Sequence, residues 1–139
     1  MSFSTLQQIE LKVQKGIRQA EDELVLKIQN VLDNSRYPKN KLEEAQFRNL
    51  VRVSDTTDSP EVVKNFLRYQ VGREDKWGRG PGSLAECIIQ DIDDSIKKSA
   101  GAIAEEARSD QLKAIWMELI RRYLGYGARY LKYLKNGQG

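Results

Sequence analysis

The chain has 139 residues, 40% of them hydrophobic and 31% charged, with a formal net charge of +3, one cysteine and no histidine. That length suits one domain with a modest core, and no run approaches the roughly 18 apolar residues that read as a membrane span. Lack of histidine removes the commonest general base and metal ligand and excludes every Ser/His or Cys/His triad, while the lone Cys87 cannot close an internal disulfide and points to a reducing, cytoplasmic compartment.

The opening "MSFSTLQQIELK" lacks the charged-then-apolar order of a secretory signal. A first helix is predicted over Leu6–Leu32, where Leu6, Ile9, Val13, Ile17, Ala20, Leu24, Ile28 and Val31 recur every three or four residues. The spacing is near heptad, so this helix suits a bundle arm or a coiled coil. "DNSRYPKN" breaks it, because the residue before Pro38 is pushed out of helical geometry. A second helix fits Lys39–Val53, with Leu42, Ala45, Leu50 and Val53 inward and Arg48 and Arg52 on a common side.

Ser59 then serves as N-cap, with Pro60 at the first helical position and Glu61 near the positive dipole end. The third helix runs to about Val71 and Gly72 is placed to end it. Lys64 and Arg68 share a face there. Past the glycine-rich loop, Ser83 and Glu86 form a capping box for a fourth helix with Leu84, Ile88, Ile92, Ile96 and Ile103 buried and a break offered at Gly101. "RSD" at 108–110 caps a last helix from about Gln111 to Lys135. The expected fold is all-α: a single-domain five-helix bundle over 1–139, with a long N-terminal helix and a Gly-rich loop between the third and fourth helices.

Charge is uneven along this framework. Residues 36–79 carry ten basic and seven acidic side chains, 83–110 carry three and seven, and 111–139 carry six and one. Such polarity suits a molecule with one cationic face. The loop "GRGPGS" follows a helix, includes a proline and lacks the Lys-Ser pair, so it does not fit a nucleotide phosphate loop. It reads either as a connector, with Trp77 lidding the bundle, or as part of a cationic surface. On the second reading Arg48, Arg52, Lys64, Arg68, Arg73 and Arg79 flank a stacking-capable Trp77, as a single-strand nucleic-acid surface requires.

The last helix carries a stripe of Tyr123, Tyr126, Tyr130 and Tyr133, read chiefly as packing, with Arg121, Arg122, Arg129, Lys132 and Lys135 beside it. Gly125 and Gly127 each cost about 1 kcal/mol relative to alanine in a helix, which implies a close approach of another segment or a bend. "DIDD" at 91–94 offers carboxylates, but residues two apart diverge on a helix and two ligands fall short of a metal cage. Cys87 lies in an apolar stretch and reads as core. No cofactor or metal is expected, and the chain is read as no enzyme.

"FRNLVRV" at 47–53, "FLRYQVGRED" at 66–75 and "IRRYLGYGARYLKYLK" at 120–135 resemble the small α-helical subunit of type III CRISPR effector complexes. The resemblance spans most of 42–135, and the extended "EDKWGRGPGS" loop departs from the family pattern. It implies a non-catalytic antiviral-defence subunit whose partners are guide and target RNA, other effector subunits and head-to-tail copies of itself. Phosphate contact would then fall to Arg48, Arg52, Arg68 and Arg73 first, and to Arg121, Arg122 and Arg129 next. The rival expectation is a helical adaptor that pairs with a partner protein through the first helix.

Overall fold

A computed structural model describes residues 3–137, and among them every regular element is helical. The elements are α1 (Phe3–Asn34), α2 (Glu44–Thr56), α3 (Pro60–Arg73), α4 (Leu84–Asp91), α5 (Lys97–Ala107) and α6 (Leu112–Lys132). A π-helical turn, Ile92–Ile96, joins α4 to α5 in one rod, and a second, Tyr133–Gly137, extends α6. The described residues thus form five helical rods.

The 32 residues of α1 make a rod about 48 Å long at 1.5 Å per residue. Val13, Ile17, Leu24, Ile28 and Leu32 turn into the core. Leu6 shares their phase yet is 52% exposed, because α6 begins only beside Glu10 and Val13. α1 and α6 run parallel: Arg122 meets Glu21, Gly127 meets Ile28, and Tyr130 meets Asp33. α5 returns along α1, with Ile103 against Gly16.

Four local expectations shift. α3 runs through Gly72 to Arg73 and ends on Glu74, whose amide donates to the Gln70 carbonyl, so Gly72 does not terminate it. The second helix begins at Glu44 rather than Lys39, because the Pro38 carbonyl accepts from the Lys41 and Leu42 amides and turns the chain first. The Glu43 amide then donates to Gln46 Oε1 at 2.7 Å and sets the helix start. In that helix Phe47 is buried and Ala45 is exposed, reversing the expected inward role of Ala45. The fourth rod does not break at Gly101, which lies within α5. Its irregularity falls one turn earlier, at Ile92–Ile96, where the Ile92 carbonyl accepts from the Trp116 indole at 2.8 Å.

The caps are local and follow the chemistry of their residues: Ser59 Oγ accepts from the Val62 amide and Ser83 Oγ from the Glu86 amide, both at 3.3 Å. α5 ends differently, on Arg108 in the left-handed region at φ 57°, with the Ser109 amide closing onto the Ala104 carbonyl at 2.8 Å.

The glycine-rich loop is a seat for the segment after α1. The Arg36 amide donates to the Gly82 carbonyl at 2.7 Å and the Arg36 guanidinium donates to the Pro81 carbonyl. Gly78, at φ +75°, stands where a Cβ would lie 2.6 Å from the Arg36 carbonyl oxygen, so only glycine fits. Trp77 is fully buried, its ring 5.7 Å from that of Phe47. It lids the core and offers no face to a nucleobase.

Candidate nucleic-acid interface

The tyrosine stripe of α6 divides along its length. Tyr123 is fully buried and donates to Asp91 Oδ2 at 2.6 Å. Tyr130 is half-buried and donates to both oxygens of Asp33, while Tyr133 is 51% exposed and stacks on Tyr130 at 5.9 Å. The helix therefore sinks at its start and surfaces at its end. Its basic residues divide the same way.

Arg121 and Arg122, on the buried half, hold the fold together. Arg121 donates to the Ser54 carbonyl at 2.9 Å and the Thr57 carbonyl at 2.8 Å, and reaches Asp58 at 3.1 Å. It thereby satisfies carbonyls that the end of α2 leaves open. Arg122 bonds Glu118 at 3.1 Å and also Glu21. Burial alone would lower its pKa, but those two carboxylates outweigh it and hold the guanidinium above its ordinary value. Neither offers an uncommitted charge to a ligand.

Lys64 is likewise internal. It is buried, at 2.6 Å from Asp93 and 2.8 Å from Glu61. Burial pulls its pKa down, yet hydrogen bonds to Asp93 and Glu61 leave it raised overall. The expectation that Lys64 joins Arg68 on a common phosphate-facing surface thus gives way to a tie between α3 and the π turn. The carboxylates at this junction go to three partners: Asp91, the last residue of α4, to Tyr123, and Asp93 and Asp94 of the turn to Lys64 and, at 3.2 Å, to Lys98. No group of three His, Cys, Asp or Glu converges as a metal cage among the described residues. Near Asp91, Cys87 has its thiol pKa pushed up by burial and then by the Asp91 carboxylate, which keeps it protonated and poorly nucleophilic.

The free charge lies elsewhere. At Gly127, α6 has no side chain, and Phe47 and Ile28 press against its backbone. This close approach draws α2 onto α6, so that Arg48 from α2 and Arg129 and Lys132 from α6 line one cleft of about 160 Å³ with Glu44 and Ala128. Arg48 is loosely paired with Glu44 at 3.6 Å and remains 64% exposed. Arg129 is exposed and lies over the Tyr126 ring, 5.8 Å from its centroid. Arg52, one turn on from Arg48, is exposed and, among the described residues, bonded only to Asn49. Three cations against one carboxylate suit a phosphate oxygen.

Arg68, Arg73 and Arg79 are exposed on α3 and the loop after it, without ion pairs among the described residues, and do not line that cleft. Of the nine predicted cations, the structure brings Arg48 and Arg129 together with Arg52 adjacent. Lys132, which sequence reading left among the flanking charges, completes the group. The available signal was Gly127, since a glycine in a well-patterned helix marks an approach. No helix is long and apolar enough to cross a membrane among the described residues. Comparison with protein-family models, with curated proteins and with solved structures finds no match to the chain.

Proposed function

We propose that the chain is a non-catalytic, RNA-binding subunit of a cytoplasmic ribonucleoprotein, of the kind implied by its resemblance to the small helical subunit of type III CRISPR effectors. On this reading it lies beside a guide–target duplex among other effector subunits and copies of itself, and holds the target strand by its phosphates. The observation that carries the reading is the α2–α6 seam, where Arg48, Arg129 and Lys132 face one cleft with Arg52 alongside. Guanidinium groups recognise phosphate oxygens bidentately and never lose their charge at working pH. Contacts of that kind position a strand without reading its sequence, which base pairing with a guide supplies.

The adaptor reading has less behind it. Most of the apolar stripe of α1 is used inside the core, and the leucines left outside, Leu6, Leu11 and Leu26, form no continuous stripe: Leu6 and Leu11 lie on different faces, and Leu26 is about four turns beyond Leu11. Isolated exposed leucines do not make a docking face.

Binding of RNA measured across a salt series tests the proposal. Arg48→Ala with Arg129→Ala is expected to weaken binding and to flatten the log–log salt slope by about 1.5, since each lost phosphate contact removes roughly 0.7 to 0.9. An unchanged affinity and an unchanged slope would remove the seam as the phosphate-binding surface.

A further inference from the structure

A second, larger cleft with different chemistry lies further along the same helix, beyond the basic seam. Within one helical turn of Lys132, the chain passes Leu131, Leu134, Lys135 and Asn136, which face Tyr37 and Asn40 of the α1–α2 connector across about 610 Å³. That volume falls in the range of small-ligand sites. Leu131 is 1% exposed and forms the floor, and half-buried Leu134 and Tyr37 form apolar walls. Asn40 and Asn136 are exposed, and neither side chain is hydrogen-bonded among the described residues. Lys135 has no ion pair among them either. Lys39 also lines the cleft, its ammonium donating to the Asp33 carbonyl at 2.8 Å and lying 5.8 Å from the Tyr37 ring centroid.

A surface that only tracked phosphates would need neither an apolar slot nor neutral amides. A slot suits the flat face of a heteroaromatic ring. Each asparagine amide presents a donor and an acceptor, matching the mixed edge of a nucleobase. Lys135 supplies the charge for the phosphate that follows. We propose that this cleft receives an unpaired base of the strand whose phosphates lie on the α2–α6 seam. The inference rests on the phosphate-binding reading of that seam. It adds a preference for strands with accessible bases at that point, as opposed to continuous duplex.

The test compares a fluorescein-labelled oligouridylate of about twelve nucleotides with an abasic strand of equal length, which carries the same phosphates and no bases. By fluorescence anisotropy the abasic strand is expected to bind about ten-fold more weakly, the scale of one stacked base, with an unchanged salt slope. Asn40→Ala combined with Asn136→Ala alters only exposed side chains and should bring the two strands towards equal affinity. Tyr37→Leu, which keeps an apolar side chain but removes the ring and its hydroxyl bond to the Leu32 carbonyl, should do the same, with circular dichroism confirming the helical fold. Equal binding of both strands by the unaltered protein overturns the base cleft and leaves the phosphate seam standing. If neither strand binds at low salt, both readings fall.

Discussion

Gly127 and Gly125 lie two residues apart on α6 and respond oppositely to the same added methyl group. A Cβ at Gly127 would lie 2.7 Å from Ile28 Cγ1, 2.7 Å from Phe47 Cζ and 2.9 Å from Phe47 Cε1. Carbon atoms pack best at about 3.5 to 4.0 Å, so α6 must move away from α1 and α2 together by roughly 1 Å. Overpacking of this kind costs typically 1 to 3 kcal/mol, and two opposing walls place it near the top, about 3 kcal/mol. Alanine returns about 1 kcal/mol of helix propensity. Gly127→Ala is therefore expected to destabilise by about 2 kcal/mol. At Gly125 a Cβ meets nothing within 4 Å, so only the propensity gain of about 1 kcal/mol remains. With an unfolding entropy of about 2.1 cal/mol/K per residue, 1 kcal/mol moves Tm by about 3 °C in a chain of this size. Thermal unfolding followed by circular dichroism should place Gly125→Ala about 3 °C above the parent and Gly127→Ala about 7 °C below. A Gly127→Ala protein as stable as Gly125→Ala would refute the close approach, and with it the cause given for the α2–α6 cleft.

Burial raises the Asp91 pKa, and the Tyr123 hydrogen bond and Lys27 only partly offset it. A carboxyl raised on folding contributes stability that is complete below its unfolded pKa and is lost as pH rises through the folded value. Asp91→Asn, which still accepts from Tyr123, should therefore remove part of the fall in stability between acid and neutral pH, as urea denaturation at several pH values would show. A parent and variant with identical pH profiles would contradict this. Arg121→Ala should cost about 2 kcal/mol, the worth of hydrogen bonds from a charged donor to the Ser54 and Thr57 carbonyls, while leaving the RNA salt slope of the folded protein unchanged. A flattened slope with unaltered stability would return Arg121 to the binding surface.

Features set by neighbours in the chain were legible beforehand. Ser59 with Pro60, and Ser83, announce their helices because a cap needs only residues within one turn, although the Ser83 amide goes to the Gly80 carbonyl and not to Glu86, so the expected box is only half formed. Glu43 with Gln46 gives no such signal, since glutamate is not a usual cap, and the apolar Leu42 extends the predicted second helix ahead of its true start at Glu44. The buried stripe of α1 followed from its period, but Ala45 and Phe47 show that period alone does not fix phase in a short helix. Arg121 and Lys64 look like surface charges in the sequence. Their partners lie 67 and 29 residues away, Ser54 for the first and Asp93 for the second, and only the folded chain introduces them. The convergence of Arg48 with Arg129 was equally non-local, legible only through the glycine that permits it. Trp77 could be read two ways until its burial against Phe47 was known.

The parallel pairing of α1 with α6 has a consequence for how the molecule comes into being. The residues that zip these rods together, Glu21 with Arg122 and Asp33 with Tyr130, stand 101 and 97 positions apart. Contacts of that span carry a large loop-closure cost before they return any stabilisation, and they slow folding relative to bundles built from neighbouring hairpins. A nascent chain emerging from the ribosome would leave Val13, Ile17, Leu24 and Ile28 of its first helix incompletely covered until the last one follows. Through most of synthesis that apolar stripe is a natural target for holdase chaperones.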